Sequence, residues 1–263
     1  MTDTTMTQLQ QIAASAARIT EAASAVPMQH FRKGGLGIEA KADDSPVTIA
    51  DRATEQAIRD ALTAEFPDHG VFGEEFGISG SLDGPAWIID PIDGTRFFLS
   101  GYPGFGMLLG HLQSGVPQVG VVRMPALNET FVGVRGGKAT LNGDVIRVRA
   151  TTSLADAIVF VNEAERTLAL DPALFARLCG VGHTRRMSYD CYPHALVAAG
   201  QIDAVTDVGL EPYDFLPLTP LIEAAGGVIT DWSGAPLGMG SDGRVVTAAT
   251  RELHAELLDV LNA

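Results

Sequence analysis

The chain has 263 residues, 46% of them hydrophobic and 19% charged, a balance that excludes a mainly disordered state and allows one large or two modest domains. Its 32 acidic and 18 basic residues leave a formal charge of −14, which works against binding to nucleic acid or to an anionic membrane surface. A small phosphorylated ligand stays compatible with that charge where bound divalent cations reverse the local field.

The start of the chain, MTDTTMTQLQQ, lacks the cationic lead and apolar run of a signal peptide. No apolar stretch nears the roughly 18 residues that span a bilayer, so a cytoplasmic protein is expected. Leu9, Ile12, Ala13, Ala16, Ile19 and Ala23 recur at helical spacing, predicting an amphipathic helix that Pro27 ends, with a glycine-rich loop at 34–37. Thr48, with Asp51 three residues on, marks the N-cap of a second helix whose apolar face is Ile58, Ala61 and Leu62, and 66–70 stops it. Short strand-like runs follow at 71–72, 87–89, 105–112, 119–122, 131–134 and 145–148, separated by turn signals; two helices on an antiparallel sheet are the expected packing.

Beyond about residue 150 the pattern becomes alternating: a strand at 158–161, a helix opening at Asp171-Pro172, a helix at 192–199, a strand at 204–205, a helix at 214–225, strands at 228–230 and 245–246, and a last helix through Leu253, Leu257, Leu258 and Leu261. The expected division is an α+β half at 1–146 and an α/β half at 147–263, packed around a shared cleft. Cys179 and Cys191 are expected to be reduced thiols.

Several motif matches lose their meaning in context. The segment 238–243 fits G-x-G-x-x-G by letter, but a strand follows it where a dinucleotide site needs a helix. Gly137-Lys138-Ala139 lacks the rest of a phosphate-binding loop, and the six histidines show no metal-ligand spacing. There is no G-x-S-x-G nucleophile elbow.

The informative stretch is Trp87-Ile88-Ile89-Asp90-Pro91-Ile92-Asp93-Gly94-Thr95, where a strand delivers two carboxylates three residues apart into a turn fixed by Pro91 and Gly94. Paired carboxylates without a compensating cation repel, and an oxygen-seeking divalent cation relieves that repulsion. An Asx turn bonded to its own backbone is the ordinary alternative. Glu74-Glu75 at a strand end and Asp214 at a helix start are further acidic candidates; taken singly, Glu75 reads as solvated surface and Asp214 as an N-cap.

Taken together, Gly73-Glu74-Glu75, the run 87–95 and the segment 211–227 resemble the inositol monophosphatase family of Mg2+-dependent, lithium-sensitive phosphatases. Asp190-Cys191-Tyr192, Leu196-Val197-Ala198-Ala199-Gly200 and Pro212-Tyr213-Asp214 look most like its histidinol-phosphatase branch. The resemblance implies a layered αβαβα sandwich and a homodimer. It implies Mg2+, two or three ions per site, with Glu74, Asp90 and the Ile92 carbonyl around one ion and Asp90, Asp93 and Asp214 around another. It further implies Thr95 and Asp51 as the pair that orients the attacking water, and backbone N–H groups of Gly94 and Thr95 as a phosphate cradle. Helix capping is the alternative role of Thr95, and a first-turn charge that of Asp51.

The substrate implied is a small phosphorylated metabolite, L-histidinol phosphate in the first place. The alternatives are an inositol phosphate or a broad range of sugar phosphates, and a regulatory binding protein of the same fold. Asp190, Asp207 and Glu211 are the candidates to receive a cationic end of the substrate. Asp207 stands where the family usually has glutamate and Tyr189 where the branch more often has glycine, and both departures bear on the shape of the pocket.

Overall fold

The computed structural model describes residues 5–33, 39–40 and 46–263, of which 39–40 and 46–47 are described as backbone alone. The glycine-rich loop expected at 34–37 lies outside the described residues.

Helix α1 (Met6–Ala23) starts on a Thr5–Gln8 capping box and buries Leu9, Ala13, Ala16, Ile19 and Ala23, the stripe that its spacing predicts. It ends four residues before Pro27. The chain turns at Ser24 and restarts as α2 (Ala25–His30), where Pro27 occupies the first turn, a place with no N–H to lose. The short pair β1 (Glu39–Ala40) and β2 (Pro46–Val47) precedes α3 (Ile49–Glu65), which starts as expected at the Thr48 N-cap with Asp51 as its N3 partner.

Next come β3 (Gly70–Gly73), β4 (Gly77–Ser79), β5 (Pro85–Asp93), α4 (Thr95–Ser100), β6 (Gly106–Gln113), β7 (Val116–Met124), β8 (Glu129–Val134), β9 (Ala139–Leu141) and β10 (Asp144–Ile146). They build an eight-stranded sheet in the order β10-β9-β8-β7-β6-β5-β3-β4. It is antiparallel except for β3 against β5, which run parallel because the crossover β4 lies on the outer edge. The strand expected at 145–148 stops at Ile146, and the chain then leaves the sheet.

The second half contains β11 (Ile158–Asn162), α5 (Ala164–Leu170), α6 (Pro172–Leu178), β12 (Thr184–Ser188), α7 (Tyr192–Ala198), β13 (Ala204–Asp207), α8 (Pro212–Phe215), α9 (Leu218–Ala225), β14 (Val228–Asp231), β15 (Val245–Ala248) and α10 (Arg251–Leu261). Its five strands pair in the order β12-β11-β13-β15-β14, parallel at β12-β11-β13 and antiparallel beyond. Pro217 divides the single helix expected at 214–225 into α8 and α9. Helix α5 and strand β12 add to the expected elements, their apolar periodicity being weak; β12 is an edge strand with two arginines, Arg185 and Arg186.

Helices α1 and α3 cover one face of the large sheet through Ile19, Ile58, Leu62, Trp87, Ile89 and Val121. The opposite face, with Ile88, Leu108, Val122 and Phe131, packs on α7 and α9, which also meet the small sheet at Val205, Ile229 and Val245. Beyond the small sheet lie α6 and α10. The result is the layered αβαβα sandwich. Gly120 and Gly133 let α9 lie directly on the sheet, since a Cβ at either would sit 1.7 Å from the Pro217 carbonyl oxygen or 2.2 Å from the Leu221 Cα. Among the described residues no helix is long and apolar enough to cross a membrane.

Candidate active site

In a regular strand, residues three apart face opposite sides, so Asp90 and Asp93 would diverge. Pro91 has no N–H for the ladder, and the pairing with β6 slips there: Asp90 lies opposite Leu108, whereas Asp93 lies opposite Gly106. Three steps along β5 thus match two along β6, and the extra residue restores the phase between the two aspartates. Asp90 Oδ1 also accepts the Ile92 N–H at 3.0 Å, so the Asx turn and the acidic pair coexist. Asp93 Oδ2 accepts the Cys191 N–H at 2.5 Å, which ties the pair to the second half of the chain.

Asp214 completes the centre. It is the third residue of α8, not its N-cap, and its Oδ2 accepts the N–H of the N-cap residue Glu211 at 2.8 Å. One carboxylate oxygen from each of Asp90, Asp93 and Asp214 lies within 4.8 Å of the others, the one such convergence of three ligand groups among the described residues. Burial raises the pKa of Asp90 well above the carboxylate range, and the charges of Glu74, Asp93 and Asp214 add to it. Asp93 is pushed up to about 6, by burial first, against the Cys191 hydrogen bond. Asp214 is raised by burial and by Asp93 and Glu74. Three buried oxygen donors that destabilise one another's charge form a site matched to a hard divalent cation.

Glu74 follows β3, and its N–H continues the parallel ladder to the Ile89 carbonyl at 3.1 Å, bringing its carboxylate to Asp90. Glu55, which belongs to none of the sequence motifs above, holds this turn. Fully buried on α3, it pairs with Arg59 at 2.7 Å and accepts the N–H groups of Glu75 at 2.7 Å and Phe76 at 3.3 Å. Gly73 passes so close that a Cβ there would lie 2.1 Å from Glu55 Oε1. The sequence signal was the i,i+4 spacing of Glu55 and Arg59 on a helix whose buried face includes position 55.

Thr95 opens α4 after Gly94, whose φ of 85° is a left-handed conformation that favours glycine. Thr95 Oγ1 lies 3.1 Å from both Asp51 Oδ1 and the Ile92 carbonyl oxygen. The other oxygen of Asp51 accepts the Thr48 N–H at 2.7 Å and the Thr48 hydroxyl at 2.5 Å. Burial raises the Asp51 pKa despite these bonds, leaving it a better proton acceptor than a solvated aspartate.

The three residues expected to meet the substrate differ in placement. Asp190, with φ 64°, brings its carboxylate so near Gly94 that a Cβ on Gly94 would lie 2.6 Å from Asp190 Oδ2. Burial raises its pKa, with Asp93 and Glu163 contributing. Asp207 is 1% exposed, and its carboxylate is engaged by Asn162 Nδ2 at 2.7 Å, His194 Nε2 at 3.1 Å and the Val208 N–H at 2.8 Å. Asn162 also donates to the Asp190 carbonyl at 2.9 Å, linking Asp207 to the turn at 190. Glu211 is exposed at the start of α8.

Glu163 joins this group unforeseen: it has φ 47°, an ion pair with Arg166 at 3.0 Å, and a pKa pushed up to about 7 by burial and by Asp207. Nothing in Asn162-Glu163-Ala164 distinguishes it from an ordinary helix start. Tyr189 donates to Glu165 at 2.7 Å and stacks edge-on to Phe97, with ring centroids 5.6 Å apart. Cys191 and Cys179 are both free thiols.

A sequence profile described as the inositol monophosphatase family matches residues 5–263. A histidinol-phosphatase of Chlorobaculum parvum is 38% identical over 224 residues, covering 83% of this chain and 85% of that protein. A bifunctional phosphatase, IMPL2, of Arabidopsis thaliana is 34% identical over 97% of this chain and 76% of its own length. Among solved structures, an inositol monophosphatase from Zymomonas mobilis superposes with a TM-score of 0.85 at 33% identity, covering 97% of this chain and 98% of that one. The acidic centre, its fold and these matches agree, and the chain belongs to the inositol monophosphatase family of metal-dependent phosphomonoester hydrolases.

Proposed function

We propose that the chain hydrolyses L-histidinol phosphate to L-histidinol and phosphate, with Mg2+ as its metal, as a cytoplasmic homodimer whose halves, 1–146 and 147–263, share the cleft. The convergence of Asp90, Asp93 and Asp214 carries the hydrolase reading. Glu74, Asp90 and the Ile92 carbonyl would hold one ion and Asp90, Asp93 and Asp214 another, with Asp90 common to both. Mg2+ bound there supplies Lewis-acid polarisation of the phosphoryl group and lowers the pKa of a water.

The rest of the work falls to the chain. The Thr95 hydroxyl has one proton and two acceptors, Asp51 Oδ1 and the Ile92 carbonyl. Its oxygen is therefore available to accept a hydrogen bond from the attacking water and to pass a proton on to Asp51. The first N–H groups of α4 have no acceptor within the helix, which suits those of Gly94 and Thr95 to phosphate oxygens. No protein nucleophile is needed.

The acidic wall beyond the centre supports the choice of substrate. Histidinol phosphate carries an ammonium and an imidazole, whereas inositol phosphate presents neutral hydroxyls. Asp190, beside Gly94, and Glu211, exposed at the start of α8, would receive the cationic end. Asp207 acts through Asn162 and His194 as a positioning residue. The resemblance to the histidinol-phosphatase of Chlorobaculum parvum favours the same reading.

A carboxylate–ammonium hydrogen bond is worth roughly 1.5–3 kcal/mol, or about ten- to a hundredfold. The expected result is a kcat/KM at least about tenfold higher for histidinol phosphate than for inositol 1-phosphate, narrowed by Asp190→Asn. Equal values, or a preference for the inositol ester, would overturn the substrate and leave the hydrolase standing.

A further inference from the structure

The face of the large sheet covered by α1 holds a second concave site, across the sheet from the acidic centre. Arg123 of β7, Thr130 and Val132 of β8, Asn142 after β9, and Ala17 and Glu21 of α1 line a cavity of about 580 Å3, a size typical of small-molecule sites. Arg123 is 6% exposed. Its Nη1 donates to Thr130 Oγ1 and its Nη2 to Asn128 Oδ1, each at 2.8 Å, and Nε has no partner. A guanidinium with five N–H donors thus meets two neutral oxygens, and burial lowers its pKa.

Glu21 supplies a negative charge that acts on Arg123, yet the two form no ion pair within 4.0 Å. Glu21 is also exposed in the last turn of α1, where the helix dipole disfavours an anion. A cation and an anion are therefore held apart across a cavity, with apolar wall from Ala13, Ala17 and Val132 beside them. A phosphate or other multiply charged anion fits this poorly, since Glu21 and a net charge of −14 oppose it. A zwitterion has no net charge to oppose and matches both groups.

We infer that this cavity binds a free α-amino acid, its carboxylate on Arg123, its ammonium on Glu21 and an apolar side chain against Ala13, Ala17 and Val132. The acidic centre faces the other side of the sheet, so the two ligands do not share a space.

The test is calorimetric titration of the full chain with L-leucine, alongside 4-methylpentanoate, which lacks the ammonium, 3-methylbutylamine, which lacks the carboxylate, and inorganic phosphate in the presence of chelator. L-Leucine is expected to bind saturably, each analogue and phosphate at least tenfold more weakly. Glu21→Gln, an exposed change, is expected to weaken L-leucine at least tenfold while phosphatase activity is unchanged. Arg123 is buried and its replacement risks the fold, so Ala17→Leu, which fills the cavity from the helix side, is the second variant and is expected to abolish binding. Absence of saturable L-leucine binding, equal binding of either analogue or of phosphate, or full binding by Glu21→Gln or Ala17→Leu would each overturn the assignment.

Discussion

Two helix starts, at Thr48–Asp51 and at Glu211–Asp214, use the same device: in each the third helical residue is an aspartate that accepts the N–H of the N-cap residue, at 2.7 Å and 2.8 Å. Their surroundings then part. Asp51 is enclosed by protein donors, with Thr48 on one oxygen and the Thr95 hydroxyl on the other. Asp214 spends one oxygen on its cap and turns the carboxylate into the company of Asp90 and Asp93. One charge is satisfied by the chain, and the other is left for a cation. A cap and a site are therefore not competing explanations for an acidic residue; what decides its role is who supplies the remaining hydrogen bonds.

The largest test of that contrast is Asp90→Asn, which removes the charge common to both metal positions. Phosphate release is expected to fall by about three orders of magnitude or more with an unchanged circular-dichroism spectrum. Retained turnover at saturating Mg2+ would contradict it. On the satisfied side, Thr95→Ala is expected to lower kcat by about a hundredfold with little change in KM, because the lost contact belongs to the transition state, and Thr95→Ser is expected to restore most of it. A raised KM at constant kcat would return Thr95 to a capping role.

Stability should separate the two caps by sign. Asn at position 214 keeps an oxygen for the Glu211 N–H and removes one of three crowded charges. In chelator, Asp214→Asn is expected to raise the melting temperature by roughly 2–4 °C, equivalent to about 1 kcal/mol. Asp51→Asn sets an amide where three donors need acceptors, and is expected to cost about 1.5–3 kcal/mol. Shifts of the same sign would erase the distinction.

Acid titration adds a smaller effect that has to be separated from the carboxylates. His111, 1% exposed and edge-on to Trp87 with ring centroids 5.0 Å apart, has its pKa lowered to about 4 by burial and by His69. A base whose folded pKa is depressed gives stability that is complete above the unfolded value of about 6.5 and is lost as pH falls toward 4. The loss reaches about 2 kcal/mol at pH 5. His111→Phe keeps the ring contact and is expected to flatten this limb of the melting profile; an unchanged slope would assign it elsewhere.

Much of this arrangement was legible in the sequence. The alternation of apolar runs and turns located the helices and strands that face a core, and Asp90-Pro91-Ile92-Asp93 with Glu74 and Asp214 located the acidic centre. The edge strand β12, with Arg185 and Arg186, was not legible because strands at an edge need no apolar alternation. Helix α1 ended earlier than Pro27 suggested because a first-turn proline starts a helix as readily as it ends one. Glu55 and Glu163 were missed for a different reason. Their roles come from the residues that meet them across 20 and 44 positions of chain, Glu75 and Asp207, and no local pattern records such encounters. The bonds of Asp207 to Asn162 and His194 likewise belong to the folded arrangement alone.

The acidic centre serves hydrolysis by holding a cation. The most direct measurement is phosphate release from histidinol phosphate by protein stripped with chelator and then titrated with Mg2+. The stripped protein is expected to show no turnover and to recover saturably on Mg2+ addition, with no recovery in Asp90→Asn. Turnover that survives stripping, or recovers equally in Asp90→Asn, would contradict it.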